Sequence, residues 1–257
     1  MNKRYSFCIL FCILIFSGAC TTHYLVQREK TEGKVVILDS INVPKPDSLT
    51  LEIIKPYKAQ IDSQMCQIVG YSEATMVKEQ PEGLLNDFVA DLCLAKGNEY
   101  LKKLNSLSAP ICVLNYGGLR SSLPKGSINL RNVYELMPFE NELVVLELSG
   151  ANVLKLFDYI AKKGGIPISG FTMTIKDNTA DTVSIQGIPF DVNKKYLIIT
   201  SDYLSQGGDD MSFFLDHLAY YPLGLKVRDA IIDYLKEQTK LGNTVSVHLD
   251  KRIRYEK

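Results

Sequence analysis

Residues 115–141 open with Asn115-Tyr116-Gly117-Gly118-Leu119-Arg120, turn at Pro124-Lys125-Gly126 and close with Met137-Pro138-Phe139-Glu140-Asn141. The apolar run Ile111-Cys112-Val113-Leu114 stands immediately before them. A short apolar run that stops at paired glycines and an arginine reads as a strand ending in a loop able to hold an anion. The arrangement occurs a second time. Residues 196–201 form another strand-like run, followed by Asp202-Tyr203-Leu204-Ser205-Gln206-Gly207-Gly208-Asp209. Two strand-end loops, each with a glycine pair, an aromatic ring and a charge, predict one pocket built from distant segments.

Outward from these loops, the pattern alternates between helix and strand periods. Residues 48–69 carry Leu51, Ile54, Tyr57, Lys58, Ile61 and Met65 at helical spacing behind Ser48 as a cap, and Pro56 predicts a kink or a start delayed to Lys55. Glu82-Gly83 opens a helix with Leu84, Leu85, Phe88, Val89, Leu92 and Cys93 on one face, and residues 101–110 read as a connector. Asn129 caps a short helix to Leu136, because its side chain can accept from the free N–H groups of the first turn. Residues 142–148 leave Phe139 as a strand, and 151–163 form a helix stopped at Gly164-Gly165. Strands follow at 169–175, 182–185 and 196–201, helices at 209–218 and 225–238, and a closing strand at 245–249 or 252–255. This order gives an α/β fold of the α+β type, a single mixed-sheet domain with helices packed on it.

The chain has 257 residues, with Lys plus Arg and Asp plus Glu equal at 29 each. That balance gives no electrostatic footprint for nucleic acid. At the amino end, Lys3 and Arg4 precede the apolar residues 6–16 and the small run Ser17-Gly18-Ala19-Cys20. A basic start, an apolar core too short to span a membrane with margin, and small residues at the exit make a secretory signal over 1–19. The run resembles a bacterial lipoprotein signal, with Ser17 where leucine is usual. That resemblance implies Cys20 as the lipid-modified residue and an exported, lipid-anchored protein on the periplasmic or cell-surface side. Residues 20–48 then read as a tether with a first strand at Val35-Val36-Ile37-Leu38, and 49–257 as the folded domain. Of the remaining cysteines, Cys66, Cys93 and Cys112 lie in apolar runs without CxxC spacing, which predicts buried free thiols rather than a disulfide framework or a zinc site.

Taken together, Asn115-Tyr-Gly-Gly-Leu-Arg120, Pro138-Phe-Glu-Asn141, Leu148-Ser-Gly150 and Asp202-Tyr-Leu-Ser-Gln-Gly-Gly-Asp209 resemble the C-terminal domain of bacterial 5′-nucleotidases and UDP-sugar hydrolases. The resemblance runs from about Tyr71 to Tyr255. It implies that Arg120 meets phosphate or ribose, that Phe139 and Tyr203 sandwich the base, and that Asn115 and Asn141 reach base edges. It further implies Asp209 on the ribose hydroxyls, Gly117, Gly118, Gly207 and Gly208 as close-approach positions, and Lys78 as an upstream phosphate contact. General chemistry agrees: stacking on an aromatic ring contributes roughly 1–3 kcal/mol per base, an arginine fork matches phosphate oxygens, and a carboxylate accepts from a diol. Tyr116 stands where the family commonly has a third glycine, Tyr203 where phenylalanine is commoner, and Lys78 where the family has arginine. Other readings stay open for single residues: Phe139 as core, Asp209 as the cap of a helix over 210–218, and Arg120 paired with Glu140 or Glu142.

In that family a separate N-terminal domain holds two metal ions and hydrolyses the ester. A dimetal phosphatase needs several His and Asp/Asn ligands. This sequence has three histidines, His23, His217 and His248, and no Asp-x-His or Gly-Asn-His motif. We therefore expect no catalytic residue, metal ligand or cofactor in these 257 residues, and divalent ions only on a partner. The expected function is the nucleotide-binding part of a split 5′-nucleotidase working with a separate metallophosphatase chain; the alternative is a non-catalytic nucleoside- or nucleotide-binding lipoprotein.

Overall fold

An apolar run with both faces covered forms the middle of the molecule. Strand β4 (Glu142–Ser149) sends Leu143 and Val145 into one core and Val144, Leu146 and Leu148 into another. Burial on both faces explains why the run is apolar throughout rather than strictly alternating. The structure, a computed structural model, describes residues 47–256 together with Gly33 and Val35. The expected signal, Cys20 and residues 36–38 of the expected first strand lie outside the described residues. The chain divides between Leu51 and Glu52, and the fold described is that of the second unit.

The main sheet also contains β2 (Ile111–Val113), β5 (Ile168–Ser169), β9 (Lys195–Ser201) and β10 (Ala219–Lys226), in the order β10-β4-β9-β2-β5. Strands β2 and β9 are parallel and the other pairings antiparallel. Helices α2 (Leu84–Asn105) and α5 (Val227–Lys240) cover one face through Phe88, Leu92, Leu101, Ile231 and Leu235. Helix α4 (Gly150–Lys163) covers the other through Val153, Leu156, Phe157 and Ile160. A second sheet runs β11-β6-β7-β8, from β6 (Phe171–Lys176), β7 (Thr179–Ile185), β8 (Ile188–Pro189) and β11 (Ile253–Tyr255). Strands β1 (Ile68–Ser72) and β3 (Gly126–Asn129) make an antiparallel pair, and β3 leads into α3 (Leu130–Leu136), where Asn129 and Asn132 form a capping box. The mixed α/β architecture is as expected.

Several local expectations are corrected. Helix α1 (Ser48–Met65) contains Pro56 and is not delayed to Lys55. Its cap is Asp47, whose carboxylate accepts from the N–H groups of Leu49 and Thr50, rather than Ser48. None of its residues is buried. Helix α2 continues through much of the expected connector. Strands β3 and β10 were not foreseen: β3 is four residues long, and β10 carries Pro222 and Gly224, which are poor strand formers except at an edge. Residues 209–218 do not form an α-helix. They make two 3₁₀ turns, Gly208–Asp210 and Ser212–Phe214, because Asp209 and Asp210 adopt left-handed φ of 52° and 65°. Cys93 and Cys112 are buried free thiols, while Cys66 is exposed.

Candidate functional site

Sheet register brings three loops to one edge. The parallel pairing of Ile111 with Ile198 and Cys112 with Ile199 places the carboxyl ends of β2 and β9 side by side. Leu143 pairs with Ser201 in the antiparallel β4–β9 ladder, so the segment entering β4 arrives at the same edge. Loops at the carboxyl ends of neighbouring parallel strands are where ligands bind in open α/β sheets. Here they enclose a pocket of 310 Å³ lined by Asn115, Gly117, Gly118, Arg120, Phe139, Asn141, Tyr203 and Asp209. Clefts of 410 and 530 Å³ elsewhere are larger, yet neither joins, as this pocket does, two partly exposed aromatic rings, an arginine and a carboxylate.

Asp209 is the hub of the pocket. Its Oδ2 accepts from Asn115 Nδ2 at 2.8 Å and its Oδ1 from the Tyr203 hydroxyl at 2.8 Å. Its backbone carbonyl accepts from the Tyr159 hydroxyl at 2.7 Å. Burial, with Asp209 and Asp210 adding negative charge, pushes the Tyr159 phenol up to about 12, so it stays a donor. The hydrogen bond to Asp209 likewise raises the Tyr203 phenol. These three contacts hold Asp209 in its left-handed conformation, which rules out the helix-cap role. They also give Asn115 a job other than the expected one: its amide N–H₂ positions Asp209.

The glycines act by close approach. A Cβ on Gly208 would lie 2.6 Å from the Tyr203 ring, and one on Gly118 would lie 2.7 Å from Asn115 Oδ1. Gly208 therefore backs the Tyr203 ring, Gly207 turns the chain at a positive φ of 84° beside Leu215, and neither lines the pocket. Lys78 is also outside the lining. Its ammonium donates to the carbonyls of Leu119 at 2.7 Å and Tyr116 at 3.3 Å, bracing the loop from behind. Burial, and then the nearby Arg120 charge, lowers its pKa. Tyr116 packs beneath Lys78, 4.5 Å from ring centroid to ammonium, and does not narrow the pocket. Arg120 is exposed, with Nη1 3.4 Å from the Gly117 carbonyl, and makes no ion pair with Glu140 or Glu142.

Phe139 and Tyr203 are 40% and 43% exposed, so neither ring is core. Two residues missed in the sequence hold them. Buried Arg228 donates to the Met137 and Phe139 carbonyls and pairs with Glu140, which Lys226 also meets at 2.5 Å. Arg228 and Lys226 pull the Glu140 carboxyl down to about 2. Asp202 Oδ1 accepts from the Glu142 N–H at 3.1 Å and the Tyr203 N–H at 2.7 Å, linking the backbones behind the two aromatic residues. No local motif marks Arg228. Asp202 had a signal, since it directly follows a strand and precedes Tyr203.

The donor set of a dimetal phosphatase is not assembled among the described residues. The one group there of three or more clustered His, Cys, Asp or Glu side chains is Glu82, Asp87 and Asp250, without histidine. His217 faces the Phe214 carbonyl, and His248 lies near Ser246; both are exposed, His217 outside any helix and His248 outside any strand.

A sequence profile described as 5′-nucleotidase, C-terminal domain, matches residues 66–216. The trifunctional nucleotide phosphoesterase protein of Bacillus subtilis is 26% identical over 251 residues, covering 90% of this chain and 16% of that protein. A 5′-nucleotidase of Vibrio cholerae is 22% identical over 222 residues, covering 84% and 39%. The chain thus spans less than half the length of either. The solved structure of a 5′-nucleotidase precursor from Thermus thermophilus matches with a TM-score of 0.69 at 23% identity, over 80% of this chain and 43% of that one, a likeness of fold. With the profile spanning more than half of its residues, the chain belongs to the family of 5′-nucleotidase C-terminal domains.

Proposed function

We propose that this chain is the nucleotide-recognition part of a 5′-nucleotidase whose hydrolytic metals are supplied from outside these 257 residues, by a separate exported metallophosphatase. The observation that carries the reading is the 310 Å³ pocket, in which the aromatic, arginine and carboxylate side chains of three loops converge. The base lies between Phe139 and Tyr203. The ribose hydroxyls donate to Asp209, whose two oxygens keep lone pairs beyond those used by Asn115 and Tyr203. Arg120, free of carboxylate partners among the described residues, faces the phosphate. Asn141 meets the base edge, and Asn115, Lys78, Asp202 and Arg228 hold the walls in place.

Binding energy from the base and ribose, remote from the reacting phosphorus, orients the ester for attack by a metal-activated water on the partner. Lipid on Cys20 would hold the recognition part at the membrane; the small-residue run before Cys20 supports this. The test is hydrolysis of AMP with divalent metal by this chain, by an exported metallophosphatase encoded beside it, and by the two together. Stimulation in the mixture that disappears with Phe139→Ala supports the split arrangement. Equal rates for the metallophosphatase with and without this chain would sink it.

A further inference from the structure

We infer that Glu82, Asp87 and Asp250 bind a hard divalent cation of the calcium class. One carboxylate oxygen from each lies within 4.8 Å of the others. Oxygens bound to one Ca²⁺ at about 2.3–2.6 Å stand at most about 5 Å apart, so the spacing suits a shared ion. None of the three residues lines the Phe139–Tyr203 pocket.

Asp87 is the second observation. It sits in the first turn of α2, is 1% exposed, and its Oδ2 has no hydrogen-bond partner. A buried carboxylate oxygen without a donor is offset by a proton or by a cation. Burial, opposed by Arg252 and assisted by the adjacent Glu82 carboxyl, raises the Asp87 carboxyl to about 8, so a bound cation displaces a proton there. Arg252 is the neighbouring cation, but its donors are engaged elsewhere. Nε donates to Asp250 Oδ1 at 3.0 Å; Nη1 to Asp91 Oδ1 at 2.7 Å and the Ile168 carbonyl at 2.9 Å; Nη2 to Asp91 Oδ2 at 3.1 Å and Asp250 Oδ2 at 2.9 Å. A guanidinium has five N–H donors, and these contacts use all five. Asp87 Oδ1, 3.4 Å from Nε, receives attraction without a donor of its own.

Asp87, Asp91 and Asp250 lie 3.4, 2.7 and 2.9 Å from Arg252 nitrogens, and Glu82 adds a fourth carboxyl to the cluster. Glu82 Oε1 accepts from the Asp250 and Lys251 N–H groups at 2.9 and 3.0 Å, which fixes the carboxyl-terminal segment against the start of α2. An all-oxygen carboxylate set without nitrogen or sulfur favours Ca²⁺ over zinc, with water completing the shell. The bound ion joins residues 82–87 to the segment that leads into β11. Glu82 and Asp87 lie close together but Asp250 is far from both in sequence, and the set fits no loop motif, so no metal was expected here from the sequence.

The test is calorimetric titration of CaCl₂ into the chelator-treated chain, with melting temperature followed in parallel against NaCl at matched ionic strength. We expect a saturable site of one ion per chain and a rise of about 3–10 °C at about 10 mM Ca²⁺, for an affinity of the extracellular-module class. Asp87→Asn, nearly isosteric, abolishes both responses while leaving AMP binding intact; if it does not fold, Glu82→Gln reads the same question. Absence of saturable calcium heat in the parent overturns the proposal, and stabilisation by acid alone would overturn it by assigning the charge balance to a proton on Asp87. Equal calcium binding by parent and Asp87→Asn overturns it as well.

Discussion

Asn115 Nδ2 donates to Asp209 Oδ2 at 2.8 Å, bridging two loops whose residues are 94 apart in the chain. The Tyr203 hydroxyl occupies the other carboxylate oxygen. One carboxylate thereby fixes both an amide and an aromatic wall, and it does so in a backbone conformation that Asn tolerates as well as Asp. Asp209→Asn keeps the shape and exchanges an acceptor for a donor. Loss of one charge-assisted hydrogen bond, about 1.5 kcal/mol, predicts roughly tenfold weaker binding of a nucleoside by calorimetry. Binding of the free base should change far less.

The aromatic pair carries the larger share. Each of Phe139→Ala and Tyr203→Ala removes a stacking surface of roughly 1–3 kcal/mol, which predicts about 5- to 150-fold weaker nucleotide binding. Tyr203→Phe keeps the ring and removes only the hydroxyl on Asp209. Its affinity should fall between those of the parent and the alanine variant. A Phe variant that binds no better than Tyr203→Ala would show that the hydroxyl, not the ring, matters.

Gly208 gives a steric test. A methyl group there would meet the Tyr203 ring at 2.6 Å, so Gly208→Ala displaces the ring. Nucleotide affinity should drop toward the level of Tyr203→Ala, with circular dichroism unchanged. Unaltered affinity would mean that the ring position is not critical.

Glu140 supplies a pH dependence. Its carboxyl is held near 2 by Arg228 and Lys226, below an unfolded value of about 4.3. A carboxyl whose folded pKa is depressed stabilises the fold above its unfolded pKa and loses that contribution as pH falls through the folded value. The melting-temperature difference between the parent and Glu140→Gln should therefore be full at about pH 6 and shrink between about pH 4.5 and 2. A difference that does not change over that range would contradict the assignment of the ion pairs.

Much of the site was legible because it is written as strand-end loops. Asn115, Gly117, Gly118, Arg120, Phe139, Asn141, Tyr203 and Asp209 all stand next to apolar runs, and sheet pairing brings those runs together. Lys78 was misplaced because spacing from Gly83 says nothing about which side of a loop a side chain takes, and the Leu119 and Tyr116 carbonyls claim it. Arg228 and Asp202 act through backbone groups of other loops, a relation with no sequence period. The segment after Asp209 reads as helical by composition, but side-chain bonds to Asn115, Tyr203 and Tyr159 override that propensity. Strand β10 was hidden for a similar reason: pairing with β4 decides it, despite Pro222.

The central claim is that the pocket between Phe139 and Tyr203 recognises a nucleotide. Titration calorimetry of AMP and adenosine into the purified chain, beside the Phe139→Ala/Tyr203→Ala double variant, tests it most directly. The account predicts saturable binding of the micromolar class by the parent and none by the double variant at the same concentrations. Equal binding by the two proteins, or no binding by the parent to a panel of nucleotides and nucleosides, would contradict it.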